Sequence, residues 1–181
     1  MTIFAHGLAT RYRAVGARVG EWLEPAALLF LRLTVSKVFW DSGMTKWSGF
    51  LQFNKAKFDL FLYEFFCPDP PRPGALQLCD PKTLDYPDGS AMIPAIKALA
   101  VTTGVMEVVL SALLVLGLLG RCAALGLLAM TMFIQLAVFP TWSHWLNPAM
   151  WWAVVLFALL ARGPGPWSMD RLLGLDGKPF P

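Results

Sequence analysis

Long apolar stretches, separated by short polar links, dominate the chain. A helix that crosses the hydrocarbon core of a bilayer needs about 20 mainly apolar residues. Four stretches meet that requirement, and they run from about Trp22 to Trp40, Ala98 to Leu119, Cys122 to Phe139 and Trp145 to Ala161. The second stretch has an alternative start near Ile93. The pattern therefore predicts four transmembrane helices.

The links between these stretches indicate how the helices are arranged. Little more than residues 120–121 separates the second stretch from the third, and residues 140–144 separate the third from the fourth. Links this short force neighbouring helices to run antiparallel. Pro140 ends the third stretch, and a Gly-Pro-Gly-Pro sequence at 163–166 ends the fourth. We predict an all-α, integral membrane four-helix bundle that forms a single domain over residues 1–181.

Two segments outside the four stretches have patterns of their own. From Phe4 to Trp22, apolar side chains recur at helical spacing with the arginines elsewhere on the wheel, which predicts an interfacial N-terminal helix on the cytoplasmic leaflet. A long extracytoplasmic loop runs from about Asp41 to Met92. Its aromatic part, Phe50 to Phe66, predicts a re-entrant or surface helix. Its Pro- and Gly-rich part, Cys67 to Ser90, predicts an irregular excursion.

Composition and charge agree with a membrane location. Hydrophobic residues make up 56% of the chain and charged residues only 15%, whereas a soluble domain carries about a quarter charged residues. The net charge is +3, and the basic residues are scattered rather than massed on one face, so no nucleic-acid partner is predicted. Nothing resembles a phosphate loop, a nucleophile triad or a metal-binding motif, and no metal site is predicted.

The basic residues that flank the short links predict the orientation. Cytoplasmic links carry an excess of Lys and Arg, and the link from Pro140 to Pro148 has none. The residues that would share the other side are Arg11, Arg13, Arg18, Arg121, Arg162, Arg171 and Lys178. We therefore expect a multi-pass protein of the inner (plasma) membrane with both termini in the cytoplasm.

Three polar residues of the apolar stretches fall near one depth. At about 1.5 Å per residue, Arg32 lies about 15 Å beyond Trp22, and Glu107 lies about 20 Å from Gly120. Gln135 falls at nearly the depth of Glu107. An ionised group at the bilayer centre costs about 2.5–3.5 kcal/mol or more, so such groups face the bundle interior and pair. We predict an Arg32–Glu107 ion pair with Gln135 close enough to share its hydrogen bonds.

This polar layer has more than one interpretation. It is either a structural staple of the bundle, a pocket for a ligand head group such as a quinone, or a proton relay. In the pocket interpretation, Trp40, Trp151 or Trp152 supply aromatic walls.

Two of the three cysteines fall in the outer loop. Cys67 and Cys79 are on the side assigned as oxidising, which permits a disulfide bond between them. We favour a structural disulfide, and a redox-active exchanging pair is the alternative.

Several short patterns follow one another in a family-like order. Residues 31–47 contain an arginine followed by a glycine and a lysine, and residues 104–121 contain an early acidic residue. Residues 159–173 contain a glycine-rich break, then Ser, an apolar residue, Asp and an apolar pair. Together these patterns resemble the DoxX family of small membrane proteins. Besides Arg32, Glu107 and Gln135, the matching positions are Gly43, Lys46, Tyr63, Glu64, Gly163, Gly165, Ser168 and Asp170.

The resemblance implies a four-helix membrane fold, and it implies less about the reaction. Some relatives are subunits of thiosulfate:quinone oxidoreductases, and others accompany thiol or oxidative-stress systems or operons for metal-binding modified peptides. The segment from Arg72 to Ser90 is longer than the usual connection in the family. That insert separates this chain from its relatives in the outer loop.

Two functions are carried forward from the sequence. The first is a membrane subunit of a quinone-linked oxidoreductase, in thiol, sulfur or oxidative-stress chemistry, that acts with a partner protein. In it, Arg32, Glu107 and Gln135 shape a quinone pocket, and the chain holds no cofactor of its own. The second is a non-enzymatic membrane scaffold or permeation component in metal or metallophore handling.

Overall fold

The computed structural model describes residues 2–176, with side chains described from Tyr12 onward. Helices dominate this part of the chain. The long ones are α1 (Thr2–Met44), α3 (Met92–Leu116), α4 (Gly120–Phe133) and α6 (Met150–Arg162), and the short ones are α2 (Lys55–Asp59), α5 (Trp142–His144) and α7 (Met169–Leu172). Segments of π-helix extend α2 and α4 and join α5 to α6, and they span Leu60–Phe65, Ile134–Val138 and Trp145–Ala149.

Three helical segments are long and apolar enough to cross a membrane. They span Met92–Leu116, Gly120–Val138 and Trp142–Arg162, and they correspond to the second, third and fourth predicted stretches. Large apolar side chains on their outer faces are exposed, among them Leu136, Val154 and Phe157. A contiguous apolar surface of this kind is typical of contact with lipid. The chain is a mostly helical membrane protein.

The first predicted stretch belongs to a longer helix than expected. α1 runs without a break from Thr2 to Met44 and contains Pro25. The prediction of a separate interfacial helix that ends near Trp22 is therefore wrong: the pyrrolidine ring removes one backbone donor, but the helix continues through it. All residues from 12 to 24 are exposed, and burial against the bundle begins at Leu28.

Two hydrophobic clusters hold the bundle together. One lies between α1, α3, α4 and α6 and consists of Leu28, Val35, Phe39, Leu114, Ala123, Ala124, Leu127, Leu156 and Leu159. The other joins the outer loop to the ends of α3 and α4 and consists of Phe61, Leu62, Phe66, Cys67, Cys79, Tyr86, Ile96, Ala100 and Val138. The outer loop is thus packed onto the bundle rather than held away from it.

The outer loop begins with a small hairpin before its helical part. Strand β1 (Trp47–Gly49) pairs antiparallel with β2 (Gln52–Phe53). The predicted surface helix over Phe50–Phe66 is therefore shorter, because α2 begins only at Lys55, where Asn54 caps it by accepting a hydrogen bond from the Ala56 N–H at 3.1 Å. The part from 67 to 90 is largely irregular, with one isolated bridge between Asp80 and Asp85.

Candidate functional site

A buried ion pair lies where the end of α1 meets the middle of α3. The Lys46 ammonium lies 2.5 Å from Oε2 of Glu107, and the two side chains are only 10% and 4% exposed. The Ser42 hydroxyl donates to Oε1 of Glu107 at 3.3 Å. The same ammonium reaches Ser42 Oγ at 3.2 Å and the Ser42 carbonyl oxygen at 3.4 Å. These contacts form the Lys46–Glu107–Ser42 cluster.

The local backbone explains why Lys46 reaches Glu107. α1 ends at Met44, and the Lys46 N–H then donates to the Gly43 carbonyl at 3.0 Å. The Lys46 carbonyl accepts from the Asn54 N–H at 2.8 Å, which fastens this turn to the returning chain. The lysine is therefore held in a rigid turn directly over α3.

Two glycines make room for the cluster. A Cβ at Gly43 would lie 2.9 Å from Val108 Cγ2 and 3.0 Å from Glu107 Cβ, so only glycine allows α1 to approach α3 this closely. A Cβ at Gly104 would lie 3.3 Å from Cδ of Lys46, so this glycine accommodates the lysine stem. Small residues at helix contacts of this kind are typical of membrane bundles.

A cavity of about 280 Å³ opens beside the ion pair. Its polar end is formed by Ser42, Thr45, Lys46, Thr103 and Glu107, with Lys57 on the α2 side. The rest of its wall is apolar and partly aromatic, and it consists of Leu60, Phe61, Phe65, Phe66, Leu99, Met130, Phe133, Ile134 and Val138. The combination of one charged end and an apolar remainder is typical of a site for a small amphipathic molecule.

The predicted Arg32–Glu107 ion pair is wrong. Arg32 is 1% exposed, and its Nη2 donates to the carbonyl oxygen of Trp167 at 2.6 Å. Its guanidinium packs on Gly117 and Ser168, at the opposite end of α3 from the cavity. Glu107 is paired with Lys46 instead.

The pairing was predicted wrongly because the depth of Arg32 in the membrane was counted from Trp22. α1 extends beyond the bundle at its N-terminal end, so Trp22, 82% exposed, does not lie level with Gly120. α1 and α3 are antiparallel, with Arg32 beside Gly117 and Gly43 beside Glu107. Because Glu107 precedes Gly117 by ten positions, the two levels are about 15 Å apart along the helix.

Buried polar atoms continue between these two levels. Ser36 on α1 and Ser111 on α3 are 0% exposed. Within the described residues, neither hydroxyl has a hydrogen-bond partner, and nor do Nε and Nη1 of Arg32. Each serine lies four positions from the charged residue on its own helix, or about 6 Å along it. The α1–α3 interface is therefore polar along much of its length.

The C-terminal segment forms a structural cap. Asp170 accepts hydrogen bonds from the N–H groups of Leu119 and Gly120 at 2.7 and 2.8 Å, and so caps the start of α4. The Ser168 hydroxyl donates to the Gly165 carbonyl at 2.6 Å and accepts from the Arg171 N–H at 3.3 Å. Both Ser168 and Asp170 are more than nine-tenths buried. They fasten the chain after α6 to the α3–α4 link.

Gln135 lies apart from both Arg32 and the cavity. Its Oε1 lies 2.6 Å from Nδ1 of His144, and its Nε2 donates to the Thr141 carbonyl at 3.2 Å. His144 stacks on Phe139, with ring centroids 4.8 Å apart. A second, more open cleft of about 300 Å³ runs between Gln135, Trp142 and Trp145. The three polar residues predicted to converge at one level thus occupy three separate places.

Cys67 and Cys79 form a disulfide bond, with their Cα atoms 5.5 Å apart. Both residues are nearly buried, at 3% and 8% exposure. Phe66, the neighbour of Cys67, lines the cavity. The disulfide therefore secures the aromatic wall that covers the cavity.

Removing this disulfide is expected to weaken that wall. We expect Cys67→Ser with Cys79→Ser to lower the free energy of unfolding by about 2–4 kcal/mol, because the short loop is no longer closed in the unfolded chain. Thermal unfolding of the purified double variant measures the loss. Cys122→Ser, which removes the exposed free thiol, is the matched control. An unchanged unfolding midpoint in the double variant would contradict a structural role.

Tyr86 fixes the other side of the outer loop. Its hydroxyl donates to the Leu62 carbonyl at 2.8 Å. Tyr63 packs edge-on against it, with ring centroids 6.2 Å apart. Burial, followed by the neighbouring Tyr63 and Asp85, raises the pKa of Tyr86 above its ordinary value of 10.0. The fold therefore favours the neutral phenol.

This raised pKa gives a pH dependence with a definite sign. The stabilisation is fully present below about pH 10 and is lost as pH rises through the raised pKa of the folded state. We expect Tyr86→Phe to cost about 0.5–1.5 kcal/mol near neutral pH and to flatten the alkaline decline in stability. Unfolding midpoints from about pH 8 to about pH 11 test this. If the unfolding midpoints of wild type and Tyr86→Phe fell in parallel with rising pH, the prediction would be contradicted.

Sequence reasoning missed several residues of the cavity. Lys46 and Gly43 entered only through the family resemblance, while Ser42, Thr103 and Phe133 were not singled out. Their signal is weak because hydroxyl and aromatic residues are common in membrane helices. Within the described residues, no group of three or more His, Cys, Asp or Glu side chains is placed to hold a metal ion.

The fold and the cavity define the class of protein. It is a mostly helical membrane protein with a buried ion pair for which two glycines make room. The DoxX family model matches residues 27–140, more than half of the chain, and the chain belongs to the DoxX family. Gly43, Lys46, Tyr63 and Glu64 lie inside the match, whereas the C-terminal cap, from Gly163 to Asp170, lies outside it. Searches of curated proteins and of solved structures found no match.

Proposed function

We propose that this DoxX-family protein is the membrane subunit of a quinone-linked redox system and that its cavity holds the quinone head group. The observation that carries the proposal is the cavity itself. It has one buried ion pair at its end and an otherwise apolar, partly aromatic wall. A quinone has polar oxygens on an apolar ring, and the cavity offers both kinds of surface. In this proposal Glu107 and Lys46 replace the predicted trio of Arg32, Glu107 and Gln135.

The size of the cavity supports a small head group. Ligand pockets usually span about 300–1,000 Å³, and this cavity, at about 280 Å³, is just below that range. A single aromatic ring suits it better than a larger cofactor. Phe61, Phe65 and Phe66 line the same space and provide faces for ring stacking.

Part of the cavity wall belongs to α4. Phe133 of α4 lines the cavity and is 43% exposed. This arrangement supports a ligand whose apolar tail stays in the bilayer while its head group enters between α3 and α4.

A partner protein supplies the other half of the redox reaction in this proposal. The disulfide of the chain is nearly buried, and its position suits a structural role in the cavity wall. The electron donor or acceptor opposite the quinone, a thiol, sulfur or metal centre, therefore belongs to the partner. The cavity is walled by the outer loop, which supports docking of that partner on the extracytoplasmic side.

The proposed topology has four crossings with both termini in the cytoplasm of a cell with an inner (plasma) membrane. α1 is the fourth crossing, because its buried part packs antiparallel to α3 from Arg32 to Gly43. Arg32 of α1 and Lys46, just beyond the end of α1, are buried within the bundle, where they cost less than in lipid. Arg162 and Glu24, 3.5 Å apart, lie at the end that this topology assigns to the cytoplasm.

The test is mass spectrometry of molecules that co-purify with the gently solubilised protein. Wild type, Glu107→Gln and Glu24→Gln are purified in parallel. The last is the matched control, because it makes the same chemical change at an exposed carboxylate. We expect stoichiometric quinone, counted as the sum of its oxidised and reduced forms, in wild type and in Glu24→Gln, and depletion in Glu107→Gln.

The opposite result points to the other class of function. If no protein carries quinone and Glu107→Gln is poorly folded, the ion pair is a structural staple. The non-enzymatic scaffold or permeation function would then replace the redox subunit.

A further inference from the structure

The hydrogen-bond donors at the polar end of the cavity are already engaged within the protein. The Lys46 ammonium has three N–H groups. It has three acceptors within reach, at 2.5 Å on Glu107 and at 3.2 and 3.4 Å on the hydroxyl and carbonyl of Ser42. A ligand oxygen that accepts from this ammonium must displace one of those partners.

The hydroxyl groups around the ammonium are engaged in the same way. Ser42 donates to Glu107 Oε1 at 3.3 Å. Thr45 donates to the Ser42 carbonyl at 2.8 Å, and Thr103 donates to the Leu99 carbonyl at 2.6 Å. Each hydroxyl has one hydrogen, so none of the three is left for a ligand.

Acceptor capacity, in contrast, remains. A carboxylate offers about four lone-pair sites, and Glu107 receives one close contact from Lys46 and one longer contact from Ser42. The hydroxyl oxygens of Thr45 and Thr103 also keep lone pairs. Lys57 is the other cationic donor on the wall. It is half-buried on the α2 side and is not part of the Lys46–Glu107–Ser42 cluster.

We infer that the cavity selects the reduced, hydroxyl-bearing hydroquinone over the quinone; this inference rests on the proposed function. A hydroquinone O–H donates to Oε1 of Glu107, the acceptor with the weakest existing contact. A quinone carbonyl only accepts, so it finds no free donor at the buried end. The selectivity follows from the imbalance between donors and acceptors and not from the size of the ligand.

The expected selectivity is large enough to measure. A hydrogen bond to a charged group contributes about 1.5–3 kcal/mol, which corresponds to about tenfold to hundredfold in affinity. The hydroquinone should bind more tightly than the quinone by that factor. The dimethyl ether of the hydroquinone, which has the same ring but no O–H, should bind as weakly as the quinone.

Equilibrium binding of these three probes to wild-type protein in lipid nanodiscs, without oxygen, tests the inference. Tighter binding of a short-chain hydroquinone than of its dimethyl ether and its quinone supports it. Equal or tighter binding of the quinone overturns the inference and leaves the proposed function standing. Binding of none of the three overturns both.

Two variants locate the selectivity at Glu107. Glu107→Gln should bind the hydroquinone and its ether with affinities within about threefold of each other, because the charged acceptor is gone. Glu24→Gln makes the same chemical change at an exposed carboxylate outside the cavity and should keep the full preference for the hydroquinone. Loss of the preference in Glu24→Gln, or its retention in Glu107→Gln, would overturn the assignment. If Glu107→Gln does not fold, the comparison of the three probes on wild-type protein still decides.

Discussion

Lys46→Met is expected to lower the free energy of unfolding by about 3–5 kcal/mol, since it leaves a buried carboxylate without its partner. Glu107 is 3% exposed, so most of the carboxylate stays out of contact with water when the ion pair is lost. Met has nearly the length of Lys, so the packing of the side-chain stem against Gly104 is retained. The loss should therefore report the unpaired charge and not a cavity. Reversible unfolding in mixed detergent measures it.

A double variant and an exposed pair provide the controls. Lys46→Met combined with Glu107→Leu should recover most of the loss, because replacing both partners of a buried pair with apolar residues is often close to neutral. Lys37→Met breaks the exposed Lys37–Asp41 contact of 2.6 Å and should cost less than about 1 kcal/mol. If Lys46→Met were as mild as Lys37→Met, the ion pair would not be buried as described.

Gly117→Ala is expected to cost about 2–5 kcal/mol, from overpacking and from backbone strain together. Gly117 has φ of +67°, a region in which residues with a Cβ are disfavoured. The added Cβ would also overlap the guanidinium of Arg32 and lie 2.5 Å from Cβ of Ser168. Thermal unfolding shows the loss, and release of the C-terminal cap should appear as faster proteolysis after α6.

Gly89→Ala separates the two causes. Gly89 has φ of +73°, and no heavy atom lies within 4 Å of the position that a Cβ would occupy there. This variant therefore carries the strain alone, about 1 kcal/mol. Equal losses in the two glycine variants would mean that Arg32 does not pack against Gly117.

The membrane-crossing helices could be predicted because each appears in the sequence as a long, continuous stretch of apolar residues. The predicted stretches end within three residues of the three apolar helices, except that the first of these helices begins at Met92, six residues before Ala98 and close to the alternative start near Ile93. Pro140 and the break at 163–166 lie just after helical segments that end at Val138 and Arg162, as their proline and glycine content predicts. The Cys67–Cys79 pairing was accessible for a similar reason, since only these two cysteines share the outer loop.

The partners of the buried charges were not predictable from depth alone. Arg32 and Glu107 have opposite charge and lie on neighbouring helices, but they are separated by about 15 Å along the α1–α3 interface. The register of that interface is set by close contacts at Gly43 and Gly117, which a residue count does not reveal. Lys46 lies just beyond the predicted helix, where a lysine is expected to reach solvent.

Gln135 illustrates a second limit of predicting side-chain contacts from the sequence. Its depth is consistent with the polar layer, but its side chain is on another face of α4 and bonds to His144 and Thr141. The π-helical segment Ile134–Val138 changes the direction of side chains there relative to an ideal helix. A helical wheel drawn from the sequence does not contain that change.

The most direct test of the central claim is to fill the cavity and leave the ion pair untouched. Thr103→Phe places a ring in the cavity, while Val105→Phe adds the same ring at an exposed position of α3. Quinone is then quantified in both purified variants and in wild type. We expect Thr103→Phe to lose the quinone and Val105→Phe to keep it, with both proteins folded. Full retention of quinone in a folded Thr103→Phe variant would contradict the assignment of this cavity as the binding site.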